Sequence, residues 1–467
     1  MKKTTKILSL ALAALLAVTS LAGCGEQKVD DGKVTLKIGN WPTKAASEEM
    51  LAKWDYMTKT FNEMYPDVEL ITGDTYTYDV KTFNARAAAK QLPNFLETYF
   101  TEIDMLMSNG YTSDITDALK NNDLLDKINP DILEIIRDEN GVISGIPTYA
   151  YAQGLAINRK LFEEAGLVNE DGTPKVPETY QELAEFSQII REKTGVAGFV
   201  HPTINNCGGW IFMNIAWSYG VKFEEQNEDG TWKATFDSPE FREALQYMYD
   251  LRWKYNALPD NKVLDNAEYL KLFGVGQAAM CVANPETLAT FTQSYGMNKD
   301  DVYFATLPAG PAGRFVQTGG GLRMFFEGNT PEQNDYGVKW LMLNGYTPDI
   351  TEEAATVMTT QWADTLAKGG VVFGEEIFPV WSNPERAARY AEISKDYANV
   401  DPKTYAHYKE FKDVTLKPEE AACCQQLYAV LDGVIQEVWT NENANIDELT
   451  KKAVDDFQKN HLDKMDY

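Results

Sequence analysis

Val34-Thr35-Leu36-Lys37-Ile38, then Met50, Trp54, Met57, Phe61 and Met64, then Val68-Glu69-Leu70-Ile71 are the residues that decide the fold class. The first run alternates apolar and polar side chains, the period of a strand. It ends at Gly39-Asn40-Trp41-Pro42. The five apolar residues that follow recur at helical spacing. Tyr65-Pro66-Asp67 stops that helix, and Val68 opens a second strand. Strand, helix and strand of these lengths predict a βαβ unit, and with it a largely parallel sheet in an α/β protein.

The pattern continues outward. Thr179-Tyr180-Gln181-Glu182 has capping-box spacing ahead of Leu183, Phe186 and Ile190. Ser238-Pro239 offers a serine cap followed by a first-turn proline. Between these, Val221-Lys222-Phe223 and Trp232 to Phe236 flank the turn Asn227-Glu228-Asp229-Gly230 and predict a hairpin. Leu427, Val430, Leu431, Val434, Ile435 and Val438 form a helical stripe, and Ile446, Leu449, Ala453 and Phe457 carry a last helix.

The N-terminus reads differently. Lys2, Lys3 and Lys6 precede an apolar run from Ile7 to Val18, and Leu21-Ala22-Gly23-Cys24 follows. Positive head, apolar middle and small residues at a cut site are the layout of a secretion signal. Residues 1–23 are therefore expected to be a lipoprotein signal peptide. Leu21 to Cys24 resembles a lipobox, which implies acylation of Cys24. Residues 24–32 are expected to be a polar tether. The apolar run is too short for a spanning anchor, so the membrane would be reached through the Cys24 lipid only.

Composition sets outer bounds. The formal charge is −27, and loss of the leader with its three lysines makes it −30. Such a surface repels nucleic acid and anionic headgroups. The 467 residues allow two or three domains. Cys207, Cys281, Cys423 and Cys424 do not make a disulfide framework, and neighbouring cysteines rarely bridge each other. His201, His407 and His461 are scattered, with no zinc spacing, phosphate loop or nucleophile elbow. No metal and no cofactor are expected.

Several segments in order resemble the extracellular solute-binding proteins of ABC sugar importers. They are Val34 to Trp41 with Phe61-Asn62-Glu63-Met64-Tyr65-Pro66-Asp67-Val68, and Gly145-Ile146-Pro147-Thr148-Tyr149-Ala150-Tyr151 with Leu155 to Leu167. Pro177 to Leu183, Phe273 to Met280 and Gly319-Gly320-Gly321-Leu322 follow. The resemblance implies two α/β lobes with a ligand cleft between them. Lobe 1 would comprise residues 33–150 plus about 318–345, and lobe 2 residues 151–317 plus about 346–467. It also implies a monomeric, non-catalytic receptor, anchored outside the cytoplasmic membrane, that delivers a carbohydrate to ABC permease subunits. Two other readings stay open. One is a surface-anchored glycan-active enzyme, although no carboxylate spacing singles out a catalytic pair. The other is a binder of the same fold for peptides or other small solutes.

A sugar presents C–H faces and hydroxyl rims, so its cleft needs aromatic plates and forked polar groups. Trp41 stands just past the first strand, where ligands of α/β sheets collect. Glu97 and Tyr99 sit at a second strand end. Tyr149 and Tyr151 share a strand face by their two-residue spacing. Trp210 follows Gly208-Gly209, whereas Trp217, seven residues on, reads as core. By resemblance, Glu286 stands where some relatives carry a stacking aromatic, Gly320 and Gly321 lie near a hinge, and Trp381 lies near a C-terminal aromatic position.

Overall fold

The structure is a computed structural model, and it describes residues 33–465. The expected signal peptide, Cys24 and the tether lie outside these residues. The first strand, β1 (Val34–Lys37), pairs in parallel with β2 (Val68–Ile71) through the helix Glu48–Met64, so the βαβ unit forms as the pattern dictates. Ser47 caps that helix by accepting from the Met50 N–H at 3.2 Å. Of its apolar stripe, Phe61 is fully buried, while Met50 and Met64 face solvent.

The largely parallel sheet does not follow. β3 (Phe95–Tyr99) is joined to β1 only by a parallel bridge from Ile38 to Phe95. Then β4 (Gly145–Ala152) leads straight into β5 (Leu155–Asn158). The hairpin of β6 (Glu224–Gln226) and β7 (Trp232–Ala234) forms, but its first strand starts after Phe223, whose ring is fully buried. β8 (Met280–Val282) and β9 (Val302–Ala305) both pair antiparallel with β5. β10 (Arg314–Phe325) runs antiparallel to β3 and β4, and β11 (Val414–Lys417) lies parallel to its first residues. Local periodicity fixes strands but not their partners, and one long returning strand makes the sheet mixed.

Two hydrophobic bodies result. The first gathers Leu36, Phe61, Phe95, Ile146, Phe325 and Trp340. The second gathers Leu155, Phe212, Trp217, Phe236, Ile435 and Phe457, with an adjoining layer around Phe291, Phe304 and Tyr408. The helices Tyr180–Thr194, Pro239–Trp253, Cys424–Thr440 and Ile446–Asn460 appear where the caps and stripes place them. Thr179 caps the first of these, but Glu182 reaches back to the Glu178 N–H rather than to that of Thr179.

β4 and β10 cross between the bodies. Ile146 and Ala150 belong to the first core and Ala152 to the second; Val316 belongs to the second and Leu322 to the first. Trp381 was expected with the second lobe, yet its ring is 4% exposed in the first core. Its backbone bridges Ile128, and the Asn129 N–H donates to the Val380 carbonyl at 2.9 Å, so this stretch lies against the first body.

Candidate functional site

At the crossing, β10 must pass close under aromatic rings. A Cβ on Gly320 would stand 2.3 Å from the Tyr149 carbonyl oxygen, and one on Gly321 would stand 2.5 Å from the Tyr149 ring. On Gly319 it would meet the Tyr151 hydroxyl at 2.5 Å. None of the three has a positive φ. Glycine is therefore needed for close approach, not for unusual dihedrals. All three are buried, and Gly320 and Gly321 act on the site by seating the tyrosines above them.

Tyr149 then stands 48% exposed on β4, and Tyr99 stands 49% exposed at the end of β3, with both strands flanking Gly321. Burial raises the Tyr149 hydroxyl, with Tyr99 and Glu97 next to it adding to the shift. Tyr151, two residues on, is half-buried; burial first, and then the charge of Glu419, push its hydroxyl up to about 12. The two tyrosines therefore share a face, and Tyr151 looks toward the second body.

Carboxylates rise on both sides. In the first body, Tyr78 donates from its hydroxyl to Glu102 Oε2 at 2.5 Å, and Thr101 donates to Oε1 at 3.2 Å. Glu102 ends the turn Phe100–Glu102, which buried Phe100 ties to the core. Glu97 pairs with Arg323 at 3.1 Å. Asn40 Oδ1 accepts from the Glu97 N–H at 2.6 Å and from Arg323 Nη1 at 2.9 Å. In the second body, Trp210 Nε1 donates to Glu419 Oε1 at 2.9 Å, and the Cys424 thiol approaches Oε2 at 3.5 Å. Burial raises the Glu419 carboxyl against these donors, and the charge of Glu102 raises it further. β10 brings the two carboxylates to the junction: Gln317 pairs with Lys417, two residues before Glu419, and a Cβ on Gly320 would stand 2.9 Å from the ring of Phe100, two residues before Glu102.

Trp210 owes its place to a tight helix contact. A Cβ on Gly209 would lie 2.4 Å from the Tyr428 carbonyl oxygen, so only glycine lets the helix Cys207–Ser218 approach Cys424–Thr440. Asp432 caps the same end by accepting from the Asn206 and Gly209 N–H groups, each at 2.7 Å. Trp217 is 2% exposed and is core, as expected; its Nε1 donates to Glu420 at 2.7 Å.

The remaining expected residues do not converge there. Trp41 packs edge-on to Trp54 at 4.6 Å and beside Trp340 at 6.4 Å, half-buried on the first body. Trp381 is sealed into the first core. Glu286 lies on the turn Pro285–Thr287 of the second body, solvent-accessible but crowded enough that desolvation raises its carboxyl. Its neighbour Tyr408 donates to the Ala152 carbonyl at 2.8 Å.

Three residues were missed by the sequence reading: Tyr78, Glu102 and Glu419. Glu102 carried a signal, since it is three residues past the strand end that pointed to Tyr99. Glu419 carried none, because Pro418-Glu419-Glu420 lies in an irregular stretch placed by tertiary contacts alone. Among the described residues no cluster of metal-ligating side chains occurs, the four cysteines are free, and no helix is long and apolar enough to cross a membrane.

Two bodies, two crossing strands and a polar, aromatic junction define a fold that comparison can place. Residues 44–359 match the model of the family described as bacterial extracellular solute-binding protein. The chain belongs to that family. This solute-binding protein is therefore a binding protein of extracytoplasmic location. It is 24% identical over 197 residues to the melibiose/raffinose/stachyose-binding protein MelE of Bacillus subtilis (strain 168), an alignment spanning 41% of each chain. The cyclic alpha-maltosyl-1,6-maltose binding protein from Arthrobacter globiformis shares its fold, with a TM-score of 0.60 and 20% identity over 92% of this chain and 100% of that one. Maltose-bound MalE3 of T. maritima does so at a TM-score of 0.55 and 21% identity, over 91% and 99% of the two chains. The α/β, two-lobed class expected from the sequence is the class of these structures.

Proposed function

We propose that this solute-binding protein captures a carbohydrate, of oligosaccharide size, between its lobes and delivers it to the permease of an ABC importer. The observation that carries the reading is the junction itself. Exposed Tyr99 and Tyr149 are plates for C–H faces, and Glu97, Glu102, Glu419 and Trp210 ring them with acceptors and a further aromatic. The ligands for which its relatives are named, raffinose-type sugars and maltose-type glucans, support the same class. The lobes would divide as 33–150 with 318–345, and 151–317 with 346–467, apart from the stretch around Trp381. Tyr151, Glu286, Gly320 and Gly321 would line or support the hinge side of the cleft, with Trp41 on the outer wall of the first lobe. The protein works as a monomer without catalysis, tethered through a lipid on Cys24.

Ligand held by both lobes would favour the closed form by its differential contacts. Calorimetry against mono- and oligosaccharides and against peptides tests the reading. Saturable binding of a sugar that is recovered intact after hours is the expected result. A preference for peptides, or cleavage of the bound sugar, overturns it.

A further inference from the structure

The charges around the junction are one-sided. Glu102 stands on the first lobe and Glu419 on the second, and each is held by hydrogen-bond donors rather than by a cation. Two nearby cations are committed elsewhere. Arg323 holds Glu97 at 3.1 Å, and Lys417 holds Glu420 at 2.9 Å while lying 4.5 Å over the Trp217 ring. The segments that carry Glu102 and Glu419 meet the same stretch of β10: Lys417, two residues before Glu419, pairs with Gln317, and a Cβ on Gly320 would stand 2.9 Å from the ring of Phe100, two residues before Glu102. An ionised carboxylate offers about four acceptor sites and no donor. A ligand group that meets either Glu102 or Glu419 in its ionised form must therefore donate. Hydroxyls and amines can do so. A carboxylate or phosphate cannot, and it would place a further negative charge in a partly desolvated space, where screening is weak. Such rejection of the wrong ligand is how specificity is built where attractive contacts are common to many sugars.

We infer that the cleft selects by charge, admitting neutral and amine-bearing saccharides and rejecting uronates and sugar phosphates, with Glu102 and Glu419 as the residues that set this preference. The inference rests on the carbohydrate reading above.

The test is calorimetry on the full-length protein with three classes of probe. Raffinose, stachyose, maltotriose and chitotriose are neutral, the glucosamine trimer carries amines, and trigalacturonate and glucose 6-phosphate are anionic. The tightest neutral or amine probe should bind at least tenfold more tightly than any anionic one, about 1.4 kcal/mol. The double variant E102Q/E419Q should shrink that gap to under threefold. Glutamine keeps the acceptors for Tyr78 and Trp210, and the two single variants serve if the double variant melts early. Trigalacturonate or glucose 6-phosphate binding as tightly as the tightest neutral probe overturns the inference and leaves the carbohydrate reading standing. So does an unchanged gap in folded variants. Silence from every probe overturns the carbohydrate reading, and the inference falls with it.

Discussion

Replacing Glu224 by glutamine should stabilise the protein, increasingly so as pH rises. Glu224 lies on β6 and accepts the Ala422 N–H at 2.6 Å through Oε1, while its buried Oε2 has no partner. Burial first, and then the charge of Glu420, push its carboxyl up to about 8 from an ordinary value near 4.5; the Ala422 N–H and Lys417 oppose the shift. Below pH 4.5 the group is protonated folded or unfolded and contributes no difference. Between pH 4.5 and about 8 the unfolded chain releases the proton and the folded chain keeps it, so stability falls as pH rises. Above about 8 the loss is complete. A shift of this size corresponds to roughly 4–5 kcal/mol. Partial solvent access to the residue lowers the expectation to about 2–4 kcal/mol. Glutamine accepts the same N–H and carries no charge to bury. Melting curves of E224Q and the native protein at pH 4, 6 and 8.5 should coincide at the first value and separate by several degrees at the last. A constant separation at all three values, or none at pH 8.5, refutes the reasoning. The consequence reaches the cleft, because Ala422 is in the segment that carries Glu419.

Trp210→Ala should weaken sugar binding by about 1–3 kcal/mol, the scale of a lost stacking contact and its buried area, with little change in the melting of the empty protein. Trp217→Ala should do the reverse, lowering stability by about 3–5 kcal/mol; melting each variant with and without sugar separates the two. Gly320→Ala should destabilise by about 1–3 kcal/mol, since its methyl would collide with the rigid Tyr149 carbonyl; a native melting temperature would show that β4 can yield. Cys24→Ala should leave the protein unprocessed or released to the medium, and fractionation showing normal membrane retention would refute the lipid anchor.

The sequence by itself determined the elements whose signals are local. Alternation made β1 and β2, caps and stripes made the helices after Thr179, Ser238, Cys423 and Asn445, and paired spacing put Tyr149 and Tyr151 on one face. It also marked Trp217 as core and pointed to the strand end at Tyr99, which stands exposed across Gly321 from Tyr149. Strand partnership was beyond it, because period-2 alternation is the same in parallel and antiparallel ladders, and β10 reverses the sheet only by pairing across more than 150 residues with β4 and β3. The site divided in the same way. Residues at strand ends were legible, since the end of a strand is a local feature. Glu419 was not, because it follows β11, which reaches the junction only by pairing Lys417 with Gln317 of β10. Trp41 and Trp381 could not be told from packing rings, because an aromatic ring looks the same in sequence whether it faces a ligand or, as here, packs edge-on to Trp54 and beside Trp340 or fills the first core. Only the packing of the two bodies, with three glycines letting β10 pass beneath two tyrosines, decided which rings and carboxylates gather at the junction.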